Sequence, residues 1–300
     1  MSEAVLTTTN KKQHTKLALL ALALGGFGIG LTEFSAMGLL SQFSKDLLPG
    51  LFAIDPEAAN AQSGWLISAY ALGVVVGAPT IGIFAAKYAR KGLLMILVSG
   101  FITGTALTMA MPNYELVFVA RFLSGLPHGA FFGVAALVAV ELMGPERRAR
   151  GVALVLTGLT VANIIGVPVA TWLGQNFHWR VAFVLVFAVF SLTLLSIALW
   201  VPRLAGDPNA TARNELNAFR KPQVWFALAM GAIGFGGFFA VYSYVDPILT
   251  EVTGLDEGWV PIALVIIGIG MTVGNHLGGR LADISIKRAV IASFIFTALA

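Results

Sequence analysis

Glu33, Arg121 and His128 are ionisable residues that lie inside long apolar stretches of this sequence. An ionisable group in hydrocarbon costs at least ~2.5 kcal/mol, so it usually faces a cavity or a charged partner. Helix rise places Glu33 about 25 Å beyond Lys16 and Arg121 about 8 Å from the opposite membrane surface, so both lie at a similar depth. The sequence therefore predicts an ion pair between Glu33 and Arg121. The alternative is that Arg121 extends to the outer lipid headgroups.

The chemistry that these residues can support is proton uptake and release. Desolvation favours the neutral form of Glu33, whereas a neighbouring arginine favours its charged form, and these opposing effects let its protonation change as a cavity opens. His128 shares a helix face with Arg121 and Phe132. A histidine there can relay protons near neutral pH, or it can be a hydrogen-bonded packing residue. We expect Glu33, Arg121 and His128 to form the proton-coupling site.

Other residues inside the apolar stretches are candidates for a substrate cavity. They are Phe132 on the face of Arg121, and Asn163, Tyr242 and Asp246 in later runs. Polar residues within spans more often hold neighbouring helices together, which is the alternative for Asn163. Asp246 precedes Pro247, so it can also simply end a helix. Both alternatives stay open at this point.

Long apolar helices must carry these residues. Apolar residues make up 57% of the chain and charged residues 11%, and the mean hydropathy is +0.84, a composition typical of membrane proteins. A helix needs roughly 20 apolar residues to cross a bilayer. Such runs cover residues 17–40, 64–86, 92–111, 116–143, 151–173, 181–201, 224–249 and 259–282, and another begins at residue 289. We predict an all-α polytopic membrane protein whose chain is truncated in the ninth span.

Charge placement predicts the orientation of these spans. A cytoplasmic N-terminus puts most of the 19 Lys and Arg residues inside, leaving Lys45 and Arg180 outside and Arg121 within a span. The net charge of +4 is then a topology signal, and we expect no nucleic acid partner. A cleaved signal peptide is the alternative for the first run, which is long for that role. The predicted location is the bacterial inner membrane.

A repeated segment indicates how the chain is organised. Residues 82–91 (GIFAAKYARK) recur as residues 279–288 (GRLADISIKR), with small residues and cations at matching positions. A parallel duplication on this scale inside a membrane chain is typical of secondary transporters. We predict an N-terminal six-helix bundle over residues 1–201, a cytoplasmic linker over 202–223 and the start of a second bundle over 224–300. About three further spans would complete the second bundle.

Four kinds of segment carry a resemblance to a known family: the two repeated loops, RFLSGLPHG at 121–129, GLTVANIIGVP at 158–168 and GLTEFSAMGLL at 30–40. Together they resemble the major facilitator superfamily over the whole chain. The segment at 158–168 looks like the motif of its drug:proton antiporter branch, and the pattern is similar to bacterial sugar- and arabinose-efflux-like permeases. The resemblance implies a major facilitator fold of two six-helix repeats that works by alternating access.

The resemblance also implies residues that control conformational change. In the repeated loops these are Gly82, Lys87, Arg90, Lys91, Gly279, Asp283 and Arg288. The first loop has Ala86 where the second has Asp283, and this acid helps to latch the two halves in the family. The departure puts that latch in question for the first loop, whose cations can equally anchor helix ends. In the fifth run, Gly158, Gly166 and Pro168 favour either a hinge or close helix packing.

The combined prediction is a proton-coupled exporter of sugars or drug-like compounds. An uncoupled facilitator of a small polar solute and a transport-dead receptor are the alternatives. An intramembrane enzyme is not expected, because no Ser-His or paired-Asp set lies at membrane depth. The chain has 0 cysteines, which excludes thiolate metal sites, and no Walker lysine, which argues against a nucleotide loop. We expect no cofactor and no metal. The expected partners are protons, the substrate and the lipid bilayer, and the expected state is a monomer.

Overall fold

The computed structural model of the protein describes residues 2–85, 87–144, 147–206 and 217–299. Within these ranges the chain forms helices and connections, without strands. Helices are expected in hydrocarbon, because they satisfy every backbone polar group within one segment. The principal helices are α1 (Ser2–Phe34), α2 (Leu40–Leu47), α3 (Pro49–Ile54), α4 (Pro56–Ala85), α5 (Arg90–Ala110), α6 (Tyr114–Met143), α7 (Arg148–Val161), α8 (Val167–Asn176), α9 (Trp179–Trp200), α10 (Pro222–Tyr242), α11 (Trp259–Ile284) and α12 (Ile286–Leu299).

The predicted membrane spans are confirmed as helices. In the described part of the chain, 7 helices are long and apolar enough to cross a membrane, and they correspond to the first seven predicted runs. The eighth run corresponds to α11, whose apolar part is Trp259–Gly274, and the ninth to α12. Local signals set some of the ends. The side chain of Asn113 accepts a hydrogen bond from the amide of Leu116 at the start of α6, and Gly144, with a φ of 83°, ends that helix.

Two predicted boundaries were wrong. No predicted span covers residues 41–63, but they form α2, α3 and the beginning of α4. Pro49 starts α3 and Pro56 starts α4, since proline fits the first helical turn, where no intrahelical amide partner is needed. The seventh span ends at Tyr242 instead of residue 249. A helical turn (Val245–Pro247) and a π-helical segment (Ile248–Val252) follow it.

Helices α1 to α9 form one bundle, in which α1 packs against α7 and α9, and α4 and α5 pack against α6. Glycines permit the closest approach. A Cβ atom added to Gly73 or Gly77 of α4 would meet the backbone carbonyl of Phe122 or Leu126 in α6, and one added to Gly125 would meet that of Tyr70. Gly73 and Gly77 therefore let the second span pack closely against α6.

The fifth span is a composite helix. Between α7 and α8 the backbone forms a π-helical segment (Ala162–Gly166), in which the amide of Val167 bonds to the carbonyl of Ala162. Pro168 lies two residues after this segment, so the π-helical turn lies where proline interrupts the regular hydrogen-bond ladder. Gly158 lies against the carbonyl of Ala23, and Gly166 lies against Phe27 of α1. These glycines therefore let the fifth span pack closely onto α1. The π-helical turn interrupts the regular α-helical hydrogen bonding of that span.

The later helices contact this bundle unevenly along their length. We call the end of the molecule that carries α2 and α3 the α2 end, and the opposite end, which carries Lys91, the Lys91 end. α11 packs mainly against the π-helical segment and α8, and only slightly against α7. Gly268 of α11 approaches the carbonyl of Asn163, whereas a Cβ at Gly270 or Gly274, nearer the Lys91 end, would meet nothing. The two parts thus approach each other toward the α2 end.

Candidate transport site

Arg121 is the centre of a polar cluster inside the bundle. It lies on α6, and its residue is only 1% exposed. Its Nη1 donates to the carbonyl of Thr32 at 3.2 Å and to the Thr32 hydroxyl at 3.3 Å, while its guanidinium lies 4.6 Å from the ring centre of Tyr70 and 5.6 Å from that of Phe183. This burial favours an inward position of Arg121 over extension to the headgroups.

Glu33 lies beside this cluster without a direct ion pair. Among the described residues, no salt bridge within 4.0 Å joins Glu33 to Arg121. The predicted ion pair is therefore corrected: Nη1 of Arg121 is engaged by Thr32, the residue next to Glu33. Nε and Nη2 of Arg121 have no hydrogen-bond partner in the described part of the chain. Glu33 is half-buried and interacts with Arg121 and Tyr70 at longer range.

Tyr70 connects Arg121 to His128. The Tyr70 hydroxyl and Nδ1 of His128 share a hydrogen bond of 3.0 Å, and the same Tyr70 ring stacks on the Arg121 guanidinium. His128 also contacts the ring of Phe132, with 5.5 Å between ring centres. The predicted shared face of Arg121, His128 and Phe132 is consistent with these contacts. Tyr70 and Thr32 were not among the residues predicted for the site.

Tyr242 approaches Glu33 from the C-terminal helices. It is 3% exposed, its ring stacks on Phe238 at 5.1 Å, and it meets Phe34 edge-on at 5.4 Å. Phe34 follows Glu33 directly, and Glu33 and Tyr242 lie within electrostatic range of each other. The residues predicted for proton coupling therefore lie in one region of the molecule with Tyr242, which was predicted for the substrate cavity.

Asn163 and Asp246 lie in helix contacts. Nδ2 of Asn163 donates to the carbonyl of Leu159 at 3.0 Å within the fifth span, and Oδ1 has no partner among the described residues. Asp246 is 0% exposed and accepts a hydrogen bond of 2.7 Å from the amide of Ser41. The structure thus brings Asp246 to α2 and away from the Arg121 cluster.

The cations of the first repeated loop contact the N-terminal bundle itself. Nη1 of Arg90 lies 2.6 Å from Glu141, and Nζ of Lys91 donates to the carbonyl of Ala198 at 2.7 Å. Lys87 is exposed, and Gly82 has open space around it. These contacts favour the anchoring role for Arg90 and Lys91.

The second repeated loop is described only in part. Ala86 of the first loop, the surroundings of Gly279 and the side chain of Asp283 lie outside what the structure describes. Arg288 is exposed, and its backbone amide donates to the Ser285 hydroxyl at 3.4 Å.

The chain is similar in sequence to known membrane transporters. A family model described as the Major Facilitator Superfamily matches residues 19–300. The chain belongs to the major facilitator superfamily. It is 38% identical over 269 residues to the inner membrane transport protein YdhP of Escherichia coli, an alignment that covers 90% of this chain and 67% of YdhP. It is 29% identical over 273 residues to a chloramphenicol resistance protein of Streptomyces lividans, covering 89% and 67% of the two chains.

A solved major facilitator structure confirms the fold. The D-xylose-proton symporter superposes with a TM-score of 0.66 at 16% identity, over 89% of this chain and 69% of the symporter. The predicted family is therefore confirmed, and so is an all-α major facilitator fold. The protein is a multi-pass membrane protein of a transporter family, and its relatives are membrane transporters rather than enzymes.

Proposed function

We propose that this protein exports small molecules, either sugars or drug-like compounds, by proton antiport and alternating access. Export is supported by the similarity to a chloramphenicol resistance protein, and proton coupling by the intramembrane carboxylate of Glu33. The location proposed is the bacterial inner membrane, in line with the name of its relative, the inner membrane transport protein YdhP. We further propose that the protein acts as a monomer.

The arrangement that carries this proposal is a half-buried carboxylate beside an arginine that it does not directly bind. Arg121 is held by Thr32 and stacked on Tyr70, so its charge stays fixed while the carboxylate of Glu33 is free to change its contacts. A charged Glu33 is stabilised by Arg121, whereas a neutral Glu33 avoids the desolvation cost of an intramembrane charge. Opening the site to either side changes this balance, and a proton is taken up or released.

Alternating access requires two halves and two sides. We propose residues 1–201 as the first half, 202–223 as a cytoplasmic linker and residues 224–300 as part of the second half, with a cytoplasmic N-terminus. The α2 end then faces the outside. The contacts of α11 with α8 near that end correspond to a state that is closed outside and open toward the cytoplasm.

Proton-driven transport in proteoliposomes tests the role of Glu33. The protein expressed from its natural gene is reconstituted, and uptake into inverted vesicles is measured for sugars and for drugs such as chloramphenicol, with and without a pH gradient. Glu33→Gln should retain substrate binding but lose accumulation against a gradient. Glu115→Gln, which neutralises an exposed glutamate at the start of α6, is the matched control. Accumulation by Glu33→Gln equal to that of the parent would place proton coupling elsewhere.

The uncoupled facilitator is the second candidate. It is compatible with the lack of a direct ion pair between Glu33 and Arg121 among the described residues, because a facilitator requires no proton exchange at Glu33. The same vesicles distinguish the two functions. A facilitator equilibrates substrate at a rate that the pH gradient does not change, whereas an antiporter accumulates it.

A further inference from the structure

The polar contacts between the N-terminal bundle and the C-terminal helices lie at the α2 end. Among the described residues, each of these hydrogen bonds joins α2 or the start of α4 to the region that follows α10. The amide of Ser41 donates to Asp246 at 2.7 Å, and Nδ2 of Asn60 donates to Glu251 at 2.6 Å. Nζ of Lys45 lies 2.6 Å from Glu257. Nε2 of Gln42 donates to the same Glu257 at 3.2 Å.

These contacts share one polarity. Every acceptor is a carboxylate of the C-terminal region, and every donor belongs to the N-terminal bundle. A charged carboxylate accepts a stronger hydrogen bond than a neutral carboxyl group, and it also attracts Lys45. Asp246 lies at the first turn of α2, where backbone amides lack intrahelical partners and the helix dipole favours a negative charge. We name the group Asp246, Glu251 and Glu257 the acidic latch.

The donor side of the latch is fixed to the N-terminal bundle. Oδ2 of Asp46, on the same short helix α2, accepts hydrogen bonds from Nη1 of Arg180 at 2.6 Å and from Nε1 of Trp179 at 2.8 Å. His178 lies 3.5 Å from the other oxygen of Asp46. Arg180 also donates to the carbonyl of Met109 at 3.0 Å. Helix α2 is thereby tied to α5 and α9, so a separation of the two parts must break the latch and not the Asp46 contacts.

The contacts of Asp46, which hold α2 to its own bundle, differ from those of Asp246 in the cations around them. Burial raises the pKa of Asp46, but hydrogen bonds from Trp179 and Arg180 and the charge of Arg180 outweigh it and hold that pKa below its ordinary value. The contacts that tie α2 to its own bundle therefore persist in mild acid. Asp246 has no such cation bound to it: its Oδ1 has no partner among the described residues, and the charged groups that act on it are Glu257 and Lys45.

We propose that the acidic latch closes the α2 end while its carboxylates are charged, and that protonation of the buried carboxylate of Asp246 from that side releases it. Neutralisation of Asp246 weakens its hydrogen bond from the amide of Ser41, which is the buried contact of the latch. The side chains of Lys45 and Glu257 are 47% and 44% exposed, so solvent reaches the edge of the latch from the α2 end. The contacts stand without any assumption about transport. Their role in export rests on the proposed alternating access.

Distance measurement between spin labels tests the latch without a substrate. The protein has 0 cysteines, so Ala53→Cys in α3 and Leu255→Cys, both at exposed positions, can be labelled uniquely. The full-length protein in lipid nanodiscs is measured from about pH 8 to about pH 5. We expect acid to shift the population toward longer distances. Neutralising Asp246, Glu251 and Glu257 together as Asn, Gln and Gln should raise the long-distance population at pH 8 about tenfold, the equivalent of ~1.4 kcal/mol.

Two controls separate the latch from folding defects and from the transport mechanism. Asp256→Asn removes a neighbouring exposed acid outside the latch and should leave the pH response unchanged. Lys45→Gln removes the cation that pairs with Glu257 and should therefore also raise the long-distance population at pH 8. It tests the latch if the triple variant fails to fold. The measurements are repeated with Glu33→Gln. A latch response that persists there supports the latch even if the proposed proton coupling at Glu33 fails.

Three results would overturn the proposal. The first is a distance distribution in the parent that does not change between pH 8 and pH 5. The second is a triple variant that responds to acid with the same midpoint as the parent, which would place the sensor elsewhere. The third is a Lys45→Gln variant and a triple variant that both keep the closed distance at pH 8.

Discussion

Replacing Tyr70 with phenylalanine tests whether His128 is held by the hydroxyl of Tyr70. The change removes the 3.0 Å hydrogen bond to Nδ1 but keeps the aromatic ring that lies 4.6 Å from the Arg121 guanidinium. Hydrogen bonds between side chains of membrane helices contribute about 0.6 kcal/mol on average and up to about 1.7 kcal/mol. We expect the free energy of unfolding to fall by an amount in this range, because Tyr70 is 2% exposed and water replaces the bond poorly.

Equilibrium unfolding in mixed detergent micelles measures this loss, and a double-mutant cycle assigns it to the pair. Tyr70→Phe and His128→Leu are made singly and together. If the hydrogen bond stabilises the protein, the double variant loses less than the sum of the single variants, by about 0.6–1.7 kcal/mol. Tyr88→Phe, at a tyrosine that is 61% exposed, is the control and should change little. Additive single effects, within about 0.3–0.5 kcal/mol, would refute the coupling of Tyr70 to His128.

Two further predictions concern Asp46 and the orientation of the chain. Asp46→Asn should destabilise the protein at neutral pH, and the difference from the parent should shrink as the pH falls below about 4, because a lowered folded pKa adds stability only above it. A pH-independent difference in unfolding midpoint would contradict this. A single cysteine at exposed Ala89 should react with a membrane-impermeant thiol reagent only in inverted vesicles, and one at exposed Ala53 only in right-side-out vesicles. The reverse labelling pattern would invert the proposed topology.

The spans were predictable because one physical requirement decides them. A helix in hydrocarbon needs an uninterrupted apolar run of about 20 residues, and residues 90–110 or 179–200 satisfy it without reference to the rest of the chain. Residues 41–63 were harder, since they are too polar to span the membrane and too short for a strong helical period. Their helices are set by Pro49 and Pro56 and by packing of Phe43 against Trp179, with ring centres 4.7 Å apart.

The candidate site was predictable in its composition but not in its contacts. Depth along a helix correctly brought Glu33 and Arg121 to the same region, yet depth does not show which atoms meet. Nη1 of Arg121 binds Thr32 because a backbone carbonyl and a hydroxyl at the neighbouring position accept it together. Tyr70 was not predicted for a related reason. It lies where α4 and α6 cross closely at Gly125, and residue spacing along one helix does not show such a contact.

The placement of acids suggests how an exporter of this kind would use a proton gradient. The first loop at the Lys91 end has Ala86 in place of the acid found at Asp283, and its cations contact their own bundle through Glu141 and Ala198. The carboxylates that join the two parts lie instead at the α2 end. On the proposed orientation, the acidic outside would loosen the outer contact, and the more alkaline cytoplasm would restore it once the protons have left. Glu33 then has to carry only the protons that exchange with the substrate, because opening of the outer side has a proton-sensitive group of its own.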